Sequence, residues 1–185
     1  MDKLEYTLIR SHRRTVSLAV TPEGLVVRAP LKMPKRAIDE FVESRREWAE
    51  THAARMEEQR RELSSIQPLT EQELRALAER ALKVIPERAA HYAPLVGVRY
   101  NRITIRAQRT RWGSCSSKGN LNFNCLLMLA PPEALDSVVV HELCHLKELN
   151  HSPRFYAEVL RVFPEYHRWN GWLKQNGPAL MKRLP

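Results

Sequence analysis

The sequence lacks long apolar runs, although 43% of its 185 residues are hydrophobic, a fraction typical of globular proteins. No segment approaches the roughly 18–20 consecutive apolar residues that a membrane-spanning helix needs. The first residues, MDKLEY, are charged and lack the apolar stretch of a signal peptide. These absences argue against a membrane partner and predict a globular protein of the cytoplasm, which we expect to be a monomer.

Cysteine is scarce, with Cys115, Cys125 and Cys144 and no C-x-x-C pair. An odd number of cysteines without paired spacing argues against a disulfide framework and favours reduced thiols, as in cytosolic proteins. A disulfide between Cys115 and Cys125 across a hairpin is the alternative. Reduced thiols are the prediction, and they agree with a cytoplasmic location.

Acidic residues are missing from positions 95–130, although the whole chain contains 21 of them and has a formal net charge of +9. A local positive field attracts phosphates and acidic peptides, while the plain solubility of a basic protein is the alternative explanation. A nucleotide or a single-stranded nucleic acid is therefore a second candidate partner, bound at the basic hairpin, residues 106–124. The basic residues of the acid-free stretch are Arg99, Arg102, Arg106, Arg109, Arg111 and Lys118.

Changes in residue pattern divide the chain into two predicted domains. Residues 1–68 are expected to form β-strands followed by one long helix, from Lys35 to about Leu63. The basic segment Arg10–Arg14 is expected to be the loop of a hairpin between the first two strands. Residues 69–185 are expected to form the core domain, as one compact unit.

The predicted core starts with a helix and continues in strands. A capping-box pattern at Thr70 predicts the start of the helix, and Pro86 predicts a kink or break in it. Alternation of apolar and polar residues over positions 98–129 predicts strands with one buried face. Asn122 and Asn124 are expected on the face opposite the core, where they would bind a substrate backbone or meet water.

One stretch of the core has the metal-ligand pattern H-E-x-x-H, from His141 to His145. Residues four apart on a helix project from one face, so these two imidazoles suit one Zn²⁺. Glu142 would reach a water at the metal without binding the metal itself, which suits a general base. The alternative is a surface helix that carries the pattern by chance. The apolar run before His141 argues against it, because unpartnered histidines are costly in a core.

A third ligand is predicted at His151, where the helix is expected to end and a turn would bring the side chain back. Glu158 on the next helix is the alternative third ligand. The spacing equals that of metzincins, but Glu148 occupies the position of their glycine. We expect one Zn²⁺ per chain, with Arg111 and Tyr166 among the candidates for a donor that binds the substrate.

The motifs RTRWGSC at 109–115, HELCH at 141–145 and NHS at 150–152 together resemble the YgjP family. These are small bacterial proteins classed as metal-dependent hydrolases of the zincin type, related to the SprT-like and Wss1-like peptidases. The resemblance covers nearly the whole chain and implies the same three histidine ligands and the same catalytic glutamate. It also implies an α+β fold, with a small mixed or antiparallel sheet packed on the H-E-x-x-H helix and an N-terminal β-hairpin and helix extension.

The expected function is that of a zinc-dependent metallopeptidase acting on a peptide or protein, with Glu142 as the base. A metal-dependent nucleotide pyrophosphatase of the UTP type is the first alternative, because some members of the family are described so and the basic hairpin suits phosphate. The absence of a P-loop argues against it. A nucleic-acid-associated protein with DNA-linked proteolysis is the second alternative. The sequence lacks a recognised nucleic-acid-binding signature, which argues against it.

Overall fold

The computed structural model describes residues 3–185 as a mixed α+β fold in two compact units, Met1–Ser65 and Ile66–Pro185. No helix in the described part of the chain is long and apolar enough to cross a membrane. The cysteines Cys115, Cys125 and Cys144 are all free. The N-terminal unit contains β1 (Thr7–Ser11), β2 (Ser17–Thr21), β3 (Gly24–Pro30), α1 (Lys35–Glu43) and α2 (Arg46–Ser64).

The sheet of the N-terminal unit has the order β1-β3-β2, with β1 parallel and β2 antiparallel to β3. The predicted hairpin between the first two strands is therefore wrong, because β3 lies between them. The central position of β3 buries Val27 and Ala29 completely. Arg10 stabilises the parallel pairing, since its guanidinium donates to the carbonyl groups of Pro30, the last residue of β3, and of Met33 just beyond the strand.

The predicted long helix is two helices, because the chain leaves helical geometry between α1 and α2. Arg45 has φ −114° and ψ 14°, outside the α region. The hydroxyl of Ser44 donates to the carbonyl of Phe41 at 2.7 Å. Local bonds of this kind compete with the helical ladder, which accounts for the break.

The C-terminal unit contains the remaining elements, and its first helix, α3, begins and ends with recognisable caps. Thr70 and Glu73 form the capping box that the sequence predicts, and Gly97 ends the helix in the left-handed region at φ 79°. The break predicted at Pro86 does not occur. Tertiary packing offsets the lost backbone bond, since Ile85 on the same helix is completely buried. The elements are α3 (Glu71–Val96), β4 (Arg102–Arg106), β5 (Gly113–Cys115), β6 (Asn120–Asn124), α4 (Pro132–Cys144), α5 (Pro153–Val162) and α6 (Tyr166–Lys182).

The sheet of this unit has the order β4-β6-β5, with β4 parallel and β5 antiparallel to β6. Leu121 and Phe123 of β6 point into the core. The strand predicted to continue to Leu129 ends at Asn124, and Cys125–Leu129 forms a 3₁₀ helix. The cause is local, because the side-chain oxygen of Asn124 accepts the backbone N–H of Leu126 at 3.1 Å.

Helix α4 is the most buried helix element of the core, and it positions the predicted motif. Val139, Val140 and Leu143 are completely buried, and the helix contacts α3, α5 and α6. Arg88 of α3 donates two hydrogen bonds to the buried Asp136 of α4, an ion pair that joins the two helices. Helix α6 continues through Gly177 to Lys182.

Candidate metal centre

Three histidines converge at the C-terminal end of α4. His141 lies on the helix, His145 is its C-cap residue, and His151 lies in the loop before α5. The Nε2 atom of His141 is 3.1 Å from Nε2 of His145 and 3.0 Å from Nε2 of His151. The ligand atoms of the three residues all lie within 4.8 Å of one another, so the cluster could hold a metal ion.

The loop that carries His151 is fixed at both ends by backbone capping. Lys147 and Glu148 donate their N–H groups to the carbonyl of Cys144, which tightens the end of α4. Ser152 accepts the N–H of Phe155 at the start of α5, with Pro153 in the first turn. These caps give the loop the turn that the sequence predicts after H-E-x-x-H.

Phe155 forms an apolar support beneath all three imidazoles. Its ring centroid lies 4.9 Å from that of His141, 4.5 Å from that of His145 and 4.9 Å from that of His151. The side chain is completely buried. Packing against one aromatic ring restricts the rotation of the three histidines and directs their Nε2 atoms toward a common point.

Two histidines have hydrogen-bond partners on their outer nitrogens. His145 Nδ1 lies 3.1 Å from the carbonyl oxygen of Glu148, and His141 Nδ1 lies 2.9 Å from the hydroxyl of Tyr166. A carbonyl only accepts, so Nδ1 of neutral His145 carries the hydrogen and Nε2 has a free lone pair. Metal-binding histidines have outer-nitrogen partners of this kind.

The donor set fits a Zn²⁺ ion. Nitrogens that are each about 2.0–2.1 Å from a tetrahedral zinc are about 3.4 Å apart, close to the separations in the cluster. Burial, with the neighbouring His145 and His151, lowers the pKa of His141 to about 3. Burial also lowers the pKa of His145. Both rings are therefore neutral at neutral pH, the form that binds metals.

Glu142 is the acidic group beside this cluster, and it is 5% exposed. Burial raises the pKa of its carboxyl group to about 8, against the opposing effect of the Arg111 charge. A carboxyl group with a pKa near neutrality suits proton transfer in both directions.

Gly113, at the start of β5, makes room for Glu142. A β-carbon at this position would lie 2.6 Å from Oε1 and 2.7 Å from Cγ of Glu142. Gly113 does not have a positive φ, so close approach and not backbone conformation requires glycine. Gly113 pairs with Phe123 in the register of the sheet.

A cavity of about 190 Å³ adjoins Glu142 and His141 between α4, α6 and the start of β5. Its walls combine aromatic and apolar side chains with polar ones. No lysine or arginine side chain lines this cavity. The lining residues are Trp112, Gly113, Ser137, Val138, His141, Glu142, Tyr166, Asn170 and Leu173.

The family model of the YgjP-like metallopeptidase domain matches residues 14–76 and 67–176, which is most of the chain. The chain belongs to this family. A metallopeptidase-like family and a histidine cluster that could bind a metal together indicate a metallohydrolase.

Individual relatives match the YgjP-like chain over shorter stretches. The UTP pyrophosphatase of Escherichia coli (strain K12) is 35% identical over 60 residues, which cover 32% of this chain and 36% of that protein. The chain thus spans about a third of the length of this curated relative.

Two solved structures resemble half of the YgjP-like chain. The metallopeptidase zymogen of Pyrococcus abyssi abylysin is 23% identical, with a TM-score of 0.45, and the match covers 50% of this chain and 94% of that chain. The metallopeptidase zymogen of Methanocaldococcus jannaschii jannalysin is 22% identical, also with a TM-score of 0.45, and the match covers 51% and 97% of the two chains.

Glu158, the alternative third metal ligand, forms ion pairs with basic side chains of the YgjP-like chain. Its carboxylate forms ion pairs with Lys147 and Arg161, each at 2.7 Å. Hydrogen bonds from Arg161 and Lys147 lower the pKa of Glu158 to about 2. Among the described residues, the ligand cluster consists of the three histidines and does not include this carboxylate.

The other residues predicted to bind substrate are distributed around the site. Arg111 is exposed beside β5. Asn122 is half-buried and donates to the hydroxyl of Ser114 at 3.2 Å. The expectation that Asn124 binds substrate or meets water is wrong, because it is 1% exposed and its amide nitrogen donates to the carbonyls of Gln108 and Arg111. This amide ties the loop before β5 to β6.

Proposed function

We propose that this YgjP-like protein is a zinc metallopeptidase in which His141, His145 and His151 hold one Zn²⁺ and Glu142 is the general base. The observation that carries the proposal is the convergence of three imidazole Nε2 atoms next to a buried glutamate. Bound zinc would polarise the scissile carbonyl and the attacking water. One open coordination position is what three protein ligands leave in a catalytic zinc site.

Glu142 would move the protons of the reaction. In its ionised form it takes a proton from the attacking water, and its raised pKa makes it a stronger base than an exposed carboxylate. The same carboxyl group then delivers the proton to the leaving amine. Burial keeps the group beside the cluster and excludes bulk water from it.

The free edge of β5 would bind the peptide backbone. This strand pairs only with β6 among the described strands, and an extended peptide can add to such an edge through main-chain hydrogen bonds. The two edges of this sheet are β4 and the three-residue β5. The cavity beside Glu142 would receive an uncharged side chain next to the scissile bond.

A metal analysis tests the ligand set. Purified protein should contain about one zinc per chain, and the double variant His141→Ala, His145→Ala should contain none. The matched control replaces two exposed histidines elsewhere, His52 and His91, with alanine and should keep its zinc. Full zinc content in the His141, His145 variant would refute the site.

A substrate assay tests the reaction. Wild-type protein should cleave a mixture of unstructured peptides, and Glu142→Gln should abolish cleavage while retaining zinc. Peptide cleavage of equal rate in the two proteins would contradict the role of Glu142.

Nucleotide hydrolysis is the second candidate function, and the similarity to a UTP pyrophosphatase over 60 residues favours it. UTP is therefore included in the same assay. Pyrophosphate release that Glu142→Gln abolishes, together with intact peptides, would replace the peptidase proposal with this one.

A nucleic-acid partner is the third candidate, and the exposed Arg102 and Arg106 at the two ends of β4 favour it. Phosphate contacts weaken as salt rises. A gel-shift assay with single-stranded DNA at two salt concentrations, on wild-type protein and on Arg102→Ala, Arg106→Ala, tests this partner. Equal binding by the two proteins would exclude β4 as the binding surface.

A further inference from the structure

The outer nitrogens of His141 and His145 have chemically different partners. The Glu148 carbonyl can only accept a hydrogen bond, so it fixes His145 in one tautomer. The Tyr166 hydroxyl, 2.9 Å from His141 Nδ1, can either donate or accept. The hydroxyl therefore leaves His141 free to adopt either neutral tautomer with a hydrogen bond to Nδ1 in both.

Without metal, the hydrogen bonds form a chain in one direction. His141 Nε2 lies 3.1 Å from Nε2 of His145 and 3.0 Å from Nε2 of His151. The lone pair on His145 Nε2 has no other donor among the described residues, so a hydrogen on His141 Nε2 is the arrangement that satisfies it. His141 Nδ1 is then an acceptor, and Tyr166 donates to it. In this arrangement every nitrogen of the two rings has a partner.

Metal binding requires the opposite arrangement at His141. Its Nε2 must then offer a lone pair to the metal, so the hydrogen moves to Nδ1, which donates to the oxygen of Tyr166. The ring stays neutral, because one proton leaves Nε2 for water while another reaches Nδ1 from water. The tyrosine hydroxyl only rotates, and a hydroxyl is the simplest group that can bond to both tautomers.

We propose that Tyr166 is a positioning residue that hydrogen-bonds His141 in both tautomers and so allows metal uptake without leaving Nδ1 of this half-buried ring unpaired. The inference rests on the proposed metal centre. Tyr166 is the first residue of α6 and is 4% exposed, and its ring stacks on that of His141 with an interplanar angle of 17°. A buried and stacked hydroxyl is kept at the nitrogen in either state.

This role differs from that of a substrate-binding donor. The Tyr166 hydroxyl is engaged by His141 and acts through it. In the metal-ready state its own hydrogen is free for an acceptor in the adjoining cavity, which the side chain helps to line. A water or a carbonyl group in the cavity would therefore stabilise the tautomer that binds metal.

The variant Tyr166→Phe removes the hydroxyl and keeps the ring. Its affinity for Zn²⁺, measured by competition with a chelator, should fall about 10–100-fold, the usual effect of losing such a partner. The absorption spectrum of the Co²⁺ form should also change. Tyr156→Phe is the matched control, because its ring stacks beside His151 at 6.1 Å and, among the described residues, no hydrogen bond joins its hydroxyl to a histidine. The control should bind Zn²⁺ like wild type.

Nitrogen NMR of the histidine side chains tests the tautomers in wild-type protein directly. His141 should carry its hydrogen on Nε2 without metal and on Nδ1 with Zn²⁺. Equal Zn²⁺ affinities of Tyr166→Phe and Tyr156→Phe, or a hydrogen on Nδ1 in both states, would overturn the proposal. A wild-type protein that binds Zn²⁺ as expected but cleaves no peptide would refute the peptidase function and leave the role of Tyr166 intact.

Discussion

The ligands of the candidate metal centre come from two kinds of structure. His141 and His145 lie on α4 and at its end, where both are half-buried and both have partners for Nδ1. His151 lies in a loop and is exposed, and among residues 3–185 no hydrogen bond to its Nδ1 is found. The helix side of the site is therefore built into the core, whereas the loop side depends on local caps.

This difference indicates how the two sides should respond to change. Packing and hydrogen bonds hold the helix side before any metal arrives, so its geometry is the costly part to alter. Ring contacts with Phe155 and Tyr156 hold His151. We expect changes on the helix side to have the larger effects.

The largest effect should come from removing a helix-borne ligand. His141 is the central member of the cluster, since its Nε2 lies within 3.1 Å of both other Nε2 atoms. His141→Ala should lower Zn²⁺ affinity by more than about 100-fold, beyond the loss expected for an outer partner. His151→Ala should lose less, because the two helix-borne nitrogens stay in place. Chelator competition measures both, and equal losses would contradict the comparison.

The helix side could be predicted from the sequence because its pattern is local. The four-residue spacing of His141 and His145 places them on one face of any helix, and the apolar run before them predicts burial. The helix caps at Thr70 and Ser152 likewise depend on only a few adjacent residues. The turn that returns His151 to the cluster follows from the end of α4.

The features that could not be predicted from the sequence depend on contacts between residues far apart in the chain. Tyr166 is 25 residues from His141 in sequence, and no local pattern joins them. The continuity of α3 through Pro86 depends on tertiary packing, and the burial of Asn124 depends on the loop before β5. Gly113 gave a signal, a glycine within a strand pattern, but its neighbour Glu142 becomes visible only in three dimensions.

A second way to break the helix side is to displace Glu142. In Gly113→Ala the new methyl group would lie within 2.6 Å of the carboxylate, so the side chain must move. A misplacement of about 1 Å can cost about 100-fold in rate, and we expect a loss of that order in peptide cleavage with zinc retained. Gly171→Ala is the matched control, because a β-carbon there meets nothing within 4 Å. Equal activities of the two variants would show that Glu142 tolerates displacement.

The pH dependence of stability sharpens the comparison without removing a ligand. Burial raises the pKa of Glu142 from 4.5 to about 8. In metal-free protein the protonated side chain therefore contributes fully to folding stability below about pH 4.5, and this contribution is lost as pH rises toward 8. Glu142→Gln cannot ionise, so it should become more stable than wild type over this range, by a few kcal/mol at most. Urea unfolding with a chelator present measures the difference. The exposed Glu133→Gln on the same helix should follow wild type, and parallel curves for all three proteins would contradict the buried state of Glu142.

The smallest effect should come from the loop side, through the cap that precedes α5. Ser152→Ala removes the acceptor for the N–H of Phe155 and should cost about 1 kcal/mol of unfolding free energy. Thr70→Ala removes the equivalent acceptor at α3, far along the chain, with a similar cost. Only Ser152→Ala should also weaken Zn²⁺ binding, because its cap adjoins His151 and supports Phe155. If the two variants lose stability equally and bind zinc equally, the Ser152 cap does not contribute to the metal centre.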